Sequence, residues 1–203
     1  MTRALLVDVD GVLIRGRPTD GRPWSAELEA DLGLRSEDLQ RAFFQPHWDE
    51  IVIGRAALAE RLVPVLAAIA PHLTPQRLID YWFSHDARID GALLADLGLL
   101  RQHGLPVHLA TNQDHLRADY LMRVIGLSDH VDGIHYSADL GCRKPDAAFF
   151  RQVAARLHMA PQDLLLIDDA MENIQGAQAA GWSTIHWTGQ RSLAECLGAD
   201  VRP

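Results

Sequence analysis

Ala4-Leu5-Leu6-Val7-Asp8-Val9-Asp10-Gly11 decides the fold. Its apolar run is continuous rather than alternating, the mark of a strand buried on both faces of a parallel sheet, and Gly11 punctuates its end. Leu105-Pro106-Val107-His108-Leu109-Ala110-Thr111-Asn112 and Leu164-Leu165-Leu166-Ile167-Asp168-Asp169 repeat the form, each a short strand ending in polar residues. Gly133-Ile134-His135-Tyr136-Ser137 and Ser183-Thr184-Ile185-His186-Trp187 are weaker fourth and fifth strands. Helical stretches separate them at 92–103 closed by Gly104, 114–125 closed by Gly126, 146–158, and 172–180 closed by Gly181. Alternating strand and helix imply an α/β, doubly wound parallel sheet with right-handed crossovers, whose ligands bind beyond the carboxyl ends of the strands.

Residues 15–89 break this alternation. They hold helix signals, Ser36-Glu37-Asp38-Leu39 and Thr74-Pro75 among them, but no buried strand, so they read as a helical insertion after the first strand. Pro64 lies inside an expected helix over 55–70, which should therefore be kinked or broken in two. The domain expectation is a catalytic core of residues 1–14 and 90–203 with a small α-helical cap at 15–89.

Composition narrows the function. With 48% apolar and 23% charged residues, the 203-residue chain has the make-up of an ordinary globular protein. A net charge of -8 argues against a nucleic-acid partner and leaves small anions open as ligands. Cys142 and Cys196 lack metal-like spacing and are too few for a disulfide framework, so both are expected as free thiols. No signal-like or membrane-spanning apolar run is visible, and the expected compartment is the cytoplasm.

In a strand, residues two apart face the same way, which would project Asp8 and Asp10 together. Like charges so close resist joint ionisation unless a cation or a proton is shared. Alone, the pair is equally a solvated turn. Thr111-Asn112 adds a hydroxyl and N–H groups suited to an anion, and Lys144, before Pro145 at a first helical position, adds a cation. Asp168-Asp169 brings two more carboxylates to the same sheet edge. Four acids, a hydroxyl and a lysine suit Mg²⁺ held by carboxylates with a phosphate completing its coordination.

The order and spacing resemble the haloacid dehalogenase-like hydrolase superfamily. Asp8-Val9-Asp10-Gly11-Val12-Leu13 is similar to its first motif, Ala110-Thr111-Asn112 to its second, Lys144-Pro145 to its third, and Ile167-Asp168-Asp169 with Asn173 to its fourth. The resemblance implies a Rossmann-like core and a Mg²⁺-dependent phosphatase acting on a small phosphorylated metabolite through a phosphoaspartate. Asp8 would be the nucleophile, Asp10 the acid and base, Thr111 and Asn112 phosphate-binding groups, and Lys144 the cation offsetting charge on nucleophile and phosphate. Mg²⁺ would take Asp8, the Asp10 backbone carbonyl, Asp169, and Asp168 directly or through water, while Asn173 would support that loop.

True dehalogenases of the superfamily carry an aromatic residue where this chain has Asp10, which disfavours that chemistry; a phosphomutase stays open as another reaction of the same superfamily. A receiver-like signalling module is disfavoured because its second acidic pair would precede the lysine, and because it has no counterpart of residues 15–89. The location of the insertion matches a helical cap, within which Arg41, His47, Trp48 and Arg55 are candidate substrate contacts. Whether the protein is a monomer or a homodimer is left open by the sequence.

Overall fold

The computed structural model describes residues 2–198. Five parallel strands, β1 (Ala4–Val7), β2 (Val107–Thr111), β3 (Gly133–Tyr136), β4 (Leu164–Asp168) and β5 (Ser183–His186), form one sheet in the order β3-β2-β1-β4-β5. The order reverses at β1, so a crevice opens at its carboxyl end, between β2 and β4. All five expected strands are present.

Continuous apolar runs are needed because both faces of the sheet are covered. On one face Leu5, Val7, Val107, Leu109, Leu165 and Ile167 pack with Leu93 and Leu97 of the helix Gly91–Gln102. On the other, Ala4, Leu6, Ala110, Leu164 and Leu166 meet Phe149, Phe150 and Val153 of the helix Ala147–Leu157 and Ala177 of the helix Met171–Ala179. Each such aromatic side chain contributes on the order of 2–3 kcal/mol by burial.

In chain order the α-helices are α1 (Leu28–Leu32), α2 (Ser36–Leu39), α3 (Gln45–Ile51), α4 (Leu58–Ile69), α5 (Pro75–His85), α6 (Gly91–Gln102), α7 (His115–Asp119), α8 (Ser137–Leu140), α9 (Ala147–Leu157), α10 (Met171–Ala179) and α11 (Leu193–Leu197). A π-helical turn, Gln40–Phe44, joins α2 to α3, and another, Tyr120–Val124, continues α7. The uniform helix expected over 114–125 is thus α-helical only in its first half.

Helices α1 to α5 bury their apolar stripes against one another, forming a second core around Leu28, Phe43, Ile51, Leu62, Leu78 and Phe83. The chain leaves and re-enters the sheet unit side by side. Ile14 bridges Ile89 antiparallel, Arg15 N–H donates to the Arg88 carbonyl at 2.9 Å, and Asp90 N–H to the Leu13 carbonyl at 2.8 Å. Thr74 caps α5 by accepting from Arg77 N–H, with Pro75 in the first turn.

Three expectations need correction. Of the two alternatives for Pro64, the break is overturned, since it sits inside one continuous helix, α4. Both Pro64 and Glu60, whose carbonyl loses its partner, are exposed, so water can take that bond. Pro145 does not open a helix; Asp146 is the N-cap of α9, and the Lys144-Pro145 peptide is cis. The segment is instead anchored sideways, as Lys144 N–H donates to Asn112 Oδ1 at 2.9 Å and the Lys144 carbonyl accepts from Asn112 Nδ2 at 3.0 Å. Finally, β1 ends at Val7, so strand alternation does not place Asp8 and Asp10 together. A turn does, closed by Val12 N–H and Ile14 N–H on the Val9 carbonyl, with Gly11 at φ 82°.

Candidate active site

Asp8 leaves the end of β1 with its backbone still in the ladder, its N–H donating to the Ile167 carbonyl at 2.9 Å. Its Oδ1 accepts from Val9 N–H at 2.8 Å and stands 3.0 Å from Lys144 Nζ. Lys144 is almost fully buried and also reaches Asp168 Oδ2 at 2.6 Å. A lone buried ammonium would be costly; between two carboxylates it is paired and hydrogen-bonded.

Asp168 is saturated. Its Oδ1 accepts from Ala170 N–H at 2.9 Å and from Asn173 Nδ2 at 3.0 Å, while Oδ2 holds Lys144. Asn173, placed by the first turn of α10, therefore fixes the orientation of the acid that fixes the lysine. Asp169, the next residue, is exposed and lies against Gly11, where an added Cβ would meet its Oδ2 at 2.1 Å. Only glycine leaves room there for that carboxylate, and the positive φ at Gly11 is itself a glycine conformation.

Asp8, Asp168 and Asp169 each offer an oxygen within 4.8 Å of the others. Burial pushes the Asp8 carboxyl up to about 7 against the pull of Lys144, with Asp168 and Asp10 adding repulsion. Burial, then the charge of Asp168, raises Asp169 as well. Burial alone would lower Lys144, yet Asp8 and Asp168 together raise it above its ordinary value. One lysine does not neutralise this edge. Hard oxygen donors around an excess of negative charge are the chemistry of a divalent-cation site.

Asp10 is half exposed, and its charge is felt at both Asp8 and Asp169. Its Oδ2 accepts from Gln113 Nε2 at 2.7 Å, and the same amide contacts Thr111 Oγ1 at 3.3 Å. Thr111 is buried at the end of β2, so Gln113 ties the hydroxyl to the carboxylate. Gln113 went unrecognised in the sequence because nothing marks a glutamine after Thr111-Asn112 as buried. Asn112, expected near an anion through backbone N–H groups, has its side chain committed at both amide atoms to the Lys144 backbone.

Arg117 and Asp86 also escaped the sequence reading. Arg117 is a fully buried cation on α7 whose guanidinium donates to the carbonyls of Phe83 at 3.1 Å and Asp86, stands 3.6 Å from the Asp86 carboxylate and 4.0 Å from Asp10 Oδ1, and lies over Phe83 and Tyr120. It joins the end of α5 to the sheet unit beside Asp10. No periodicity distinguishes it from a solvated helix arginine.

A cavity of about 500 Å³ opens from Asp10 and Asp169 toward Trp24, Asp86 and Trp187. Arg41, His47, Trp48 and Arg55 do not line it. Trp48 packs against Phe44 and Trp82, Arg41 faces Asp38 at 3.8 Å, His47 lies by Phe43, and Arg55 is exposed. Cys142 and Cys196 are free, as expected, and no helix among the described residues is long and apolar enough to cross a membrane.

Fold and site together define a hydrolase with an acidic centre at the carboxyl edge of a parallel sheet. The chain belongs to the haloacid dehalogenase-like hydrolase family, whose model matches residues 2–181. It is 33% identical to a phosphoglycolate phosphatase of Chromobacterium violaceum over 98% of this chain and 90% of that one. A sesquiterpene phosphatase of Aspergillus oryzae is 33% identical over 54% of this chain, which spans 55% of that relative's length. A haloacid dehalogenase family enzyme from Bacteroides thetaiotaomicron, crystallised with magnesium and inorganic phosphate, shares the fold at a TM-score of 0.80 and 20% identity, covering 96% of this chain and 98% of that one.

Proposed function

We propose that the protein is a Mg²⁺-dependent phosphoric monoester hydrolase that transfers the phosphoryl group of a small phosphorylated metabolite to Asp8. The observation that carries this is the pairing of Asp8 with Lys144, inside a cluster of acids too negative for that lysine to balance. The magnesium found with the Bacteroides relative suits these donors. Asp8 and Asp169 would hold it, with the Asp10 backbone carbonyl; Asp168, whose oxygens are already engaged, would act through water. The ion would supply charge neutralisation and keep Asp8 ionised for attack.

Asp8 Oδ1 is occupied by Val9 N–H and Lys144, which leaves Oδ2 as the attacking oxygen. Lys144 screens the approaching phosphate, and Thr111 offers its hydroxyl to a phosphoryl oxygen. Asp10, held by Gln113 outside the buried cluster, protonates the departing alcohol and then takes the proton of the water that cleaves the acyl phosphate. Residues 15–89 act as the cap over a core of 1–14 and 90–203, excluding water and contacting the alcohol. Such an enzyme would work in the cytoplasm without a nucleic-acid or membrane partner.

The test is turnover of an aryl phosphate with Mg²⁺, followed by rapid acid quench and mass spectrometry. Phosphate on Asp8, lost with excess chelator, is the expected result. Full activity in chelator would remove the metal from the reading, and phosphate on any other residue would remove the nucleophile.

A further inference from the structure

We propose that Asp86 selects the alcohol portion of the substrate, admitting phosphate esters of neutral or cationic, hydrogen-bond-donating alcohols and turning away those that carry a carboxylate; this rests on the phosphatase reading above. The cavity of about 500 Å³ begins at Asp10 and Asp169, the proton donor and an acid of the cation site, so the departing alcohol lies in it.

The charge on the wall is lopsided. Asp10, Asp86 and Asp169 face the cavity with one guanidinium, Arg15. Arg15 has its Nε 3.4 Å from the Val12 carbonyl and its Nη2 4.0 Å from Asp90, so a neighbouring acid shares its charge. Among the described residues that line the cavity, a second anionic group on the substrate would meet three carboxylates against one guanidinium, a balance that disfavours it.

Asp86 is also fixed in place. Its N–H closes α5 on the Trp82 carbonyl at 2.9 Å, its carbonyl is held by Arg117, and its side chain is 20% exposed. Arg117 Nη2 stands 3.6 Å from Asp86 Oδ2, longer than a hydrogen bond, so the carboxylate retains acceptor capacity for a substrate hydroxyl or ammonium. Burial, then the charge of Asp10, raises its pKa to about 6, which leaves it mostly ionised at neutral pH. Trp24, stacked on Trp82 with centroids 5.3 Å apart, and the buried Trp187 add flat apolar walls for the carbon skeleton.

The experiment compares kcat/KM of the Mg²⁺-loaded full chain for glycerol phosphate, phosphoethanolamine and phosphoglycolate, with an aryl phosphate in parallel. The wild-type chain should prefer the first two to phosphoglycolate by about tenfold or more. Asp86→Asn and Asp86→Ala should shrink that preference about tenfold, chiefly through KM. A purely structural Asp86 would slow all substrates by one common factor and leave the ratio unmoved, which overturns the proposal. Equal or better use of phosphoglycolate by the wild type overturns it without any variant, as does aryl phosphate turnover with none of the three alkyl esters. Failure of the aryl phosphate itself overturns the phosphatase reading, a separate outcome.

Discussion

At the carboxyl edge of the sheet, the acids and the lysine are placed by strand ends, by the hydrogen-bonded turn after β1, and by the Asn112 amide on the Lys144 backbone. In the helices of residues 24–85, nothing comparable ties the chain to the site. That unit has its own apolar core and meets the sheet unit through the Phe83 ring on Tyr120 and polar tethers that include Arg117 on the carbonyls of Phe83 and Asp86, Ser137 Oγ on the Val52 carbonyl at 2.5 Å, and Arg143 on Asp49 at 2.7 Å. The difference separates two tasks. Chemistry needs positions held to fractions of an ångström, which a ladder supplies, whereas choice of substrate needs a wall that can be rebuilt without disturbing them.

The harshest way to break the contrast is Asp8→Asn. An amide of nearly the same shape keeps the fold but is a poor nucleophile, so turnover should fall by roughly 10⁴-fold or more. Circular dichroism should be unchanged, and quench mass spectrometry should find no phosphorylated species. Asp10→Asn should instead accumulate the phosphorylated Asp8, because loss of the base slows breakdown more than formation with an activated aryl ester.

Lys144→Met removes charge without much volume. It would leave Asp8 and Asp168 facing each other inside the protein, so a stability loss of about 3–5 kcal/mol is expected, together with loss of turnover. Denaturant unfolding checks it. Added Mg²⁺ should recover part of the stability by supplying the missing positive charge. Arg117→Met tests the other region. Here the carbonyls of Phe83 and Asp86 lose their donor, a cost of about 2–3 kcal/mol, and limited proteolysis should cut first within residues 84–90, with the sheet unit intact.

These two cations mark where the sequence was legible. Lys144 precedes a proline, between two pairs of acids in the chain, and the resemblance of that order to the family's motifs is what implied its role. Arg117 stands on a helix among polar neighbours, and its burial comes from Phe83 and Tyr120 closing over it, a long-range contact without local pattern. The same reason hid Gln113 and Asp86. Periodicity fixed strands and helices because it reports which face is buried. It could not choose among Arg41, His47, Trp48 and Arg55, since the facing of a cap residue depends on how α1 to α5 pack together. Pro145 misled for another reason: a proline before a helix is compatible with its first turn, but here Asn112 holds the Lys144 backbone aside.

A milder test lies inside the sheet unit, away from the chemistry. His135 on β3 is buried beside His108, with both ring nitrogens unpartnered, and burial, the charge of His108 and that of Arg156 lower it to about 4 against the opposing pull of Asp139. Its folded pKa lies below the unfolded value of about 6.5, so the unfolded chain binds the proton first. Stability from this group is fully present above pH 6.5 and falls as the pH drops toward 4, by roughly 2 kcal/mol. His135→Phe should remove that part of the slope in denaturant unfolding at pH 7 and pH 4.5. An unchanged slope would mean that the ring finds a partner on protonation.

The smallest expected effect sharpens the comparison most. Arg143 Nη1 and Asp49 Oδ1 are 2.7 Å apart and join α3 to the segment leading into Lys144, but both side chains are exposed, Asp49 to 81%. An ion pair in water exchanges two solvated charges for one contact and loses side-chain freedom, so Asp49→Ala should cost no more than about 0.5 kcal/mol, less in high salt. A double-mutant cycle with Arg143→Ala gives the coupling directly. If that coupling is small while Arg117→Met loosens the helices, the tether to the sheet unit is the buried cation beside Asp10, and the surface pair only accompanies it. A coupling above about 2 kcal/mol would instead make the segment before Lys144 a second point where the helices grip the catalytic edge, and the separation between placing the chemistry and choosing the substrate would fail at that point.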